Sequence, residues 1–302
     1  MAFFCYIENM KINRAIKKTI ILLLSMAIVF ITAFACSCGW FKKPNGNGGN
    51  NGGEIVNPNP DPNPDPKPED KPKPGDPHPS AVGLPDRRAT EEEKILNFAT
   101  GRNDFGFRAA DGWSNNGMFN CTWSRNNAVI KDGLMNMSIT KGNDNRFYGA
   151  EYRTNGTYSY GYFATCMKPA KCDGMVSSLF TYTNNPVWDE IDIEFLGRDT
   201  TKVQFNYYTK GVGGHEYLFD LGFDASEGFH EYGFDWQKDC IVWYVDGKAV
   251  YKATKNIPSH PQQIMMNVWN GTGVDDWLKP FDESRLPVTA QYKWTAYGAR
   301  NN

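Results

Sequence analysis

The chain has 302 residues and a formal net charge of −2, with 22% of its residues charged. That near-neutral balance implies no polyanionic partner, so nucleic-acid binding is set aside. Aromatic residues reach 14%, with nine Trp and fifteen Tyr, most of them beyond Phe98. A surface that stacks on sugar rings and a β-rich core that favours aromatics are both open readings of that content.

Lys11, Arg14, Lys17 and Lys18 precede an apolar run from Ile20 to Ala35. A basic stretch followed by a hydrophobic one is the pattern of an export signal. Met10 stands directly before the basic region and is an alternative start. The run ends Thr32-Ala33-Phe34-Ala35-Cys36. Small residues ahead of a cysteine resemble the processing site of bacterial lipoproteins, which implies acylation of Cys36 and attachment to a membrane. Cleavage after Ala35 with release, or retention as an uncleaved anchor, are the competing readings. Under each, residues 1–35 are a signal segment and the body works outside the cytoplasm, at the cell surface or outer membrane, or secreted.

From Trp40 to about Arg88 the chain is built of Asn, Gly, Pro, Asp and Lys, and twelve of the eighteen prolines fall there. Such a stretch cannot bury a core and favours extended polyproline geometry. At about 3.1 Å per residue it can reach on the order of 150 Å. Residues 36–89 therefore read as a disordered tether, and residues 90–302 as the folded domain.

Thr90 and Glu93 have capping-box spacing, which predicts a short helix through about Phe98. Beyond Phe105 the pattern is β. Predicted strands are Ala128–Ile130, Leu134–Ile139, Gly149–Arg153, Gly161–Met167, Met175–Tyr182, Glu190–Leu196, Val203–Tyr208, Phe229–Trp236, Cys240–Val245 and Ile264–Trp269. Turn signals such as Lys131-Asp132-Gly133, Asp246-Gly247 and Gly211-Val212-Gly213-Gly214 separate them. Roughly 200 residues of short strands without long amphipathic helices predict an all-β, two-sheet sandwich. Cys121, Cys166, Cys172 and Cys240 show no metal-binding spacing. They could form two disulfides or stand as buried thiols, and thiols are the favoured reading.

The strand Glu190-Ile191-Asp192-Ile193-Glu194-Phe195 alternates acidic and apolar residues. Its period places Glu190, Asp192 and Glu194 on one face and the apolar residues on the other. Burial explains the apolar face. Three carboxylates in a row repel one another and raise the pKa of at least one member. An acid kept protonated beside an ionised carboxylate is the equipment for cleaving a glycosidic bond. The Cα atoms of Glu190 and Glu194 are roughly 13 Å apart on an extended strand, whereas a retaining glycosidase needs carboxyl groups about 5–5.5 Å apart. Two long Glu side chains leaning inward over a concave strand, with the shorter Asp192 between, close much of that gap.

With these residues in place, the body resembles the bacterial licheninases, the endo-β-1,3-1,4-glucanases of glycoside hydrolase family 16. The resemblance rests on Phe119-Asn120-Cys121-Thr122-Trp123, Ala150-Glu151-Tyr152-Arg153, Met167 through Lys171, and Val176-Ser177-Ser178. It continues through Phe180 to Thr183, Trp188 to Gly197, Asp199 to Tyr208, Gly211 to Glu216, Leu221 to Ser226, Ile264 to Asn267, and Trp269 to Trp277. It implies a jelly-roll sandwich of two curved antiparallel sheets with a concave substrate cleft. It also implies Glu190 as nucleophile, Glu194 as general acid/base and Asp192 as their assistant. Trp188, Asn120, Glu151, Arg153, Phe180, Tyr182, Gln204, Asn206, Tyr208, Asn267, Trp269 and Trp277 match positions that line the glucan cleft. The expected partner is a β-glucan polysaccharide, and the expected state is a monomer. Family laminarinases usually carry an extra residue before the last Glu. Its absence here favours mixed-linkage glucan.

The chain departs from the family in three places. Gly149 occupies the position of the usual disulfide partner of Cys121, so Cys121 is expected to be a thiol. Lys293 occupies the position of the aspartate that binds a structural calcium, and a cation there opposes calcium. No metal or cofactor is therefore expected. The loop Asn184-Asn185-Pro186-Val187 is shorter than usual. Core packing is the alternative role for Trp188 and Trp269, and a structural ion pair the alternative for Glu151 and Arg153. His215 is read as structural. A β-1,3-glucanase, a transglycosylase and a non-catalytic tethered glucan-binding protein are the alternatives to a licheninase.

Overall fold

The computed structural model describes residues 72–90 and 92–300. The signal segment, Cys36 and the tether as far as residue 71 lie outside the described residues. Two antiparallel sheets face one another. The first runs in the order β5 (Ala128–Lys131), β6 (Leu134–Lys141), β17 (Val288–Ala299), β8 (Gly161–Lys168), β13 (His230–Trp236), β14 (Ile241–Val245), β15 (Lys248–Ala253). Strand β1 (Lys94–Asn97) pairs with the second half of β17, and β2 (Arg102–Asn103) with β1. The second sheet runs β3 (Arg108–Ala109), β7 (Phe147–Arg153), β16 (Gln263–Asn270), β9 (Met175–Thr183), β10 (Asp189–Leu196), β11 (Lys202–Tyr208), β12 (Tyr217–Asp220). Short β4 (Thr122–Trp123) runs parallel to β7, and β6 and β7 join the two sheets along one side. The fold is an all-β jelly-roll sandwich.

Strand β10 shows why the sheets pack. Ile191, Ile193 and Phe195 are fully buried between the layers. Phe195 meets Tyr232 of the opposite sheet edge-on at 4.7 Å, and the Trp243 indole N–H reaches across to the Asp192 carbonyl at 3.2 Å. The strand carrying the carboxylates is thus pinned from beneath by apolar contact and by a cross-layer hydrogen bond. Cutting Ile191 back to Ala costs about 2–5 kcal/mol by cavity formation.

The structure corrects two expectations. Thr90 and Glu93 do form the reciprocal turn, with Thr90 N–H to Glu93 Oε2 and Glu93 N–H to the Thr90 carbonyl both at 3.2 Å. The chain leaves that turn as β1, not as a helix, because Leu96 buries its side chain while Lys94–Asn97 pair with β17. Tertiary pairing overrides the local capping signal. Residues 72–89, assigned by composition to the tether, form a strap on the domain with a 3-10 turn at Pro79–Ala81. Gly75 N–H donates to the Asp220 carbonyl, His78 N–H to that of Val250 and Arg87 N–H to that of Gly247, at 2.8–2.9 Å. Asp220 belongs to β12 and Val250 to β15, the two outer strands on this side of the sandwich. The strap therefore satisfies edge groups that would otherwise face water or another chain. Ala81 completes a small apolar cluster with Tyr162, Val242 and Tyr244. An extended, proline-rich segment needs few donors of its own to lie along a sheet edge, so its composition resembles that of an unfolded linker.

Cys121, Cys166, Cys172 and Cys240 are all free thiols. A Cβ built on Gly149 would lie 2.7 Å from the Cys121 sulfur, so the glycine stands where a bonding partner would be.

Candidate active site

The pairing register builds the cleft as three rows of side chains across the concave face of the second sheet. One row runs Glu151, Asn267, Ser178, Glu194, Gln204. The next runs Arg153, Met265, Phe180, Asp192, Asn206. The third runs Gln263, Tyr182, Glu190, Tyr208. Positions two apart on each strand share a face, so all fourteen point the same way. Strand β10 crosses all three rows in unbroken register on both sides, without a bulge. The resulting cleft encloses about 1000 Å³.

Hydrogen bonds separate the three carboxyls. The Trp188 indole N–H donates to Glu190 Oε2 at 2.6 Å. The Gln204 amide N–H donates to Glu194 Oε2 at 2.8 Å, while its carbonyl accepts from the Trp277 indole at 3.1 Å. Because an indole only donates, Trp277 fixes which end of the Gln204 amide faces Glu194. Burial pushes Glu190, Asp192 and Glu194 all above the usual carboxylate range, and repulsion within the row adds to it for Glu190 and Asp192. Asp192 is raised well above its usual range by burial and by the glutamates on either side of it, and its carboxyl donates a hydrogen bond to Glu190. Two donors thus converge on Glu190. Glu194 receives one and also faces the charge of Glu216. The two glutamates therefore carry unequal donor sets, and each donor favours the ionised form of the carboxyl it meets.

The walls are aromatic. Trp188 stacks on Tyr208 with ring centres 4.3 Å apart, and 38% of its surface stays open to the cleft. Trp269 is only 2% exposed and packs against Phe119 at 4.1 Å and Trp277 at 6.0 Å, so it is a wall residue as much as a surface one. Glu151 is 1% exposed, with Arg153 Nε at 3.5 Å. Burial pushes its carboxyl up to about 7 against the opposing pull of Arg153. The Arg153 guanidinium also lies over the Trp113 ring at 4.9 Å, so the pair is both an ion pair and part of the cleft wall.

Every cleft position expected from the sequence lines this cavity except Asn120. Asn120 is held through its backbone, its N–H on the Asn270 carbonyl at 2.8 Å, while its neighbour Phe119 supplies the lining side chain. The sequence reading did not place Ser178, Gln263, Met265, Glu216, Trp113 or Met118 in the cleft, yet all of them line it. The first three follow from stepping two residues along β9 and β16 from Phe180 and Asn267. The others sit on loops without a period. His215 is structural: it stacks on Tyr207 at 4.0 Å and its Nδ1 lies 2.9 Å from the Tyr207 carbonyl. Lys293 stands exposed at the β17 bulge with its ammonium 4.4 Å over the Phe229 ring. A residue set presenting an ammonium does not fit a calcium ion.

The model of the glycosyl hydrolases family 16 matches residues 115–295. The chain belongs to that family. It is a glycosidase, and the matched span contains all three cleft rows. A beta-glucanase of Paenibacillus macerans is 58% identical over 192 residues, covering 62% of this chain and 81% of that protein. A xylanase/beta-glucanase of Ruminococcus flavefaciens is 53% identical over 220 residues, but the chain spans only 27% of that longer protein. A solved prokaryotic beta-1,3-1,4-glucanase (lichenase) derived from a mouse hindgut metagenome superposes with a TM-score of 0.65 at 50% identity, over 68% of this chain and 98% of that one.

Proposed function

We propose that this glycosidase is an endo-β-1,3-1,4-glucanase that retains anomeric configuration. The observation that carries the reading is the unbulged row Glu190, Asp192, Glu194 with unequal donor sets on its two glutamates. Ionised Glu190 attacks the anomeric carbon, while protonated Glu194 gives its proton to the departing glycosidic oxygen. A covalent glycosyl-enzyme ester results. Glu194, now a base, takes a proton from water, which displaces the sugar from Glu190. Asp192 holds a hydrogen bond to Glu190 through both steps and limits how far its charge spreads. Trp188, Tyr182 and Phe180 offer faces to glucosyl rings, and Asn206, Asn267, Glu151 and Arg153 offer polar atoms to hydroxyls. The names of the relatives above support the glucan as substrate.

The test is chemical rescue. Glu190→Ala should lose turnover on mixed-linkage glucan, and added azide should restore part of it as a glycosyl azide of inverted anomeric configuration. Full activity in the variant, or rescue with retained configuration, overturns the assignment. Export and acylation at Cys36 belong to the same proposal and rest on residues 11–36 alone. Cys36→Ala should move the protein from the membrane fraction to the soluble one. Unchanged fractionation would contradict acylation.

A further inference from the structure

Asp189 immediately precedes Glu190, and strand alternation turns it away from the cleft. It is fully buried, with no side-chain surface exposed. An aspartate buried among apolar strands is costly unless its charge is met by donors. Here four converge. The Lys210 N–H reaches Oδ1 at 2.7 Å. The Ser259 N–H, the His260 N–H and His260 Nδ1 reach Oδ2 at 3.0, 3.1 and 2.8 Å. One carboxylate thereby ties the start of β10 to two separate loops, 209–216 and 256–262. The donor set outweighs burial and holds the group ionised.

The first of these loops also grips the residue on the other side of Asp189. The Gly211 N–H donates to the Trp188 carbonyl at 2.7 Å, and Tyr208, at the root of the loop, stacks on the Trp188 ring. The Thr209 hydroxyl donates to the Asn256 carbonyl, binding the two loops together. Trp188 in turn gives its indole N–H to Glu190. We propose that Asp189 is a positioning residue for the nucleophile: its buried knot with Lys210, Ser259 and His260 aims the Trp188 indole N–H at Glu190, a donor that favours the carboxylate form. The proposal rests on Glu190 being the nucleophile. Asp189 itself touches no substrate. The groups that face Glu190 are Asp192 and Glu194 from its own strand, Tyr182 from β9, and Tyr208 from β11. None of these is bonded to Asp189, so the path from Asp189 to Glu190 runs through Trp188.

The experiment is the pH profile of kcat/KM on mixed-linkage glucan for Asp189→Asn. The amide presents N–H where the carboxylate accepted, so the knot loosens on one side. Loss of a hydrogen bond to a charged acceptor moves its pKa by about one unit, so the acidic limb should shift up by about one pH unit. Trp188→Phe, which keeps the ring and removes the donor, should shift it equally, and the double variant should shift it no further. A profile that superposes on the parent's, with only the melting temperature lowered, overturns the proposal and leaves Asp189 purely structural. Should Asp189→Asn fail to fold, His260→Ala removes one of the four donors and should move the limb up by a few tenths of a unit; no movement overturns the proposal. The nucleophile reading fails separately, by surviving activity in Glu190→Ala.

Discussion

Gly149→Cys should create a disulfide with Cys121 and reverse its effect on stability with redox state. The ideal Cβ at 149 lies 2.7 Å from the Cys121 sulfur, within a few tenths of an ångström of bonding geometry. The same Cβ meets the Val268 carbonyl oxygen at 2.7 Å and the Trp123 ring at 3.3 Å, so neighbours must give. Such crowding costs about 1–2 kcal/mol. Closing the loop from 121 to 149 contributes about 3–4 kcal/mol in the chain-entropy model. The oxidised variant should therefore be about 2 kcal/mol more stable than the parent, a rise of about 4–8 °C at this domain size. The reduced variant should melt below the parent, because it keeps the crowding without the bond. The assay is thermal unfolding of residues 72–302 with and without reductant, together with thiol titration in denaturant. The parent's four thiols should become three in the oxidised variant, since the new cysteine and Cys121 both disappear. Five titratable thiols after oxidation, with a lowered melting temperature in both states, would refute the apposition of these two residues.

Glu151→Gln should be the more stable protein at pH 8 and no different at pH 4.5. The folded carboxyl is raised from 4.5 to about 7 by burial, so the stability tied to its protonated form is full below 4.5 and lost as pH rises through about 7. A shift of that size corresponds to at most about 3 kcal/mol, and a gap between variant and parent that ignores pH would contradict it. A chain beginning at residue 90 loses the strap and its edge hydrogen bonds, and should melt about 5–10 °C lower, equivalent to about 2–4 kcal/mol. An unchanged melting temperature would show the strap to be passive. Chelator should leave the melting temperature within about 1 °C, the shift expected for well under 1 kcal/mol of lost binding, because Lys293 presents an ammonium where calcium would need oxygen. A large drop would reveal a metal site elsewhere.

Much of this fold is written in strict alternation, and where alternation fails the reading fails with it. Strand β10 was legible because Ile191, Ile193 and Phe195 are fully buried and the residues between them are not apolar. The twelve-residue β17 escaped because its register shifts between Tyr292 and Trp294, which puts two differently phased halves in one strand. Strand β1 was hidden by a capping turn whose local chemistry is real but whose continuation is set by β17. The strap was hidden by proline, since composition reports the absence of a core and says nothing about edges that need covering. In the site, the polar and aromatic residues on strands line the cleft because register carries them into rows. Asn120 did not, because loop residues obey no period and Phe119 took the inward place. Asp189 was given no role by the sequence reading. Alternation turns it away from the cleft, but only the fold shows that it binds two loops.

The measurement that tests the central claim most directly is product analysis across linkages. The protein would be given barley mixed-linkage glucan, laminarin, carboxymethylcellulose and xyloglucan in parallel, and the released oligosaccharides followed by anomeric proton resonance. The account predicts short oligosaccharides from the mixed-linkage glucan alone, formed first as the β anomer. Equal cutting of laminarin would contradict the link between an unbulged β10 and mixed-linkage choice. First appearance of the α anomer would contradict Glu190 as nucleophile.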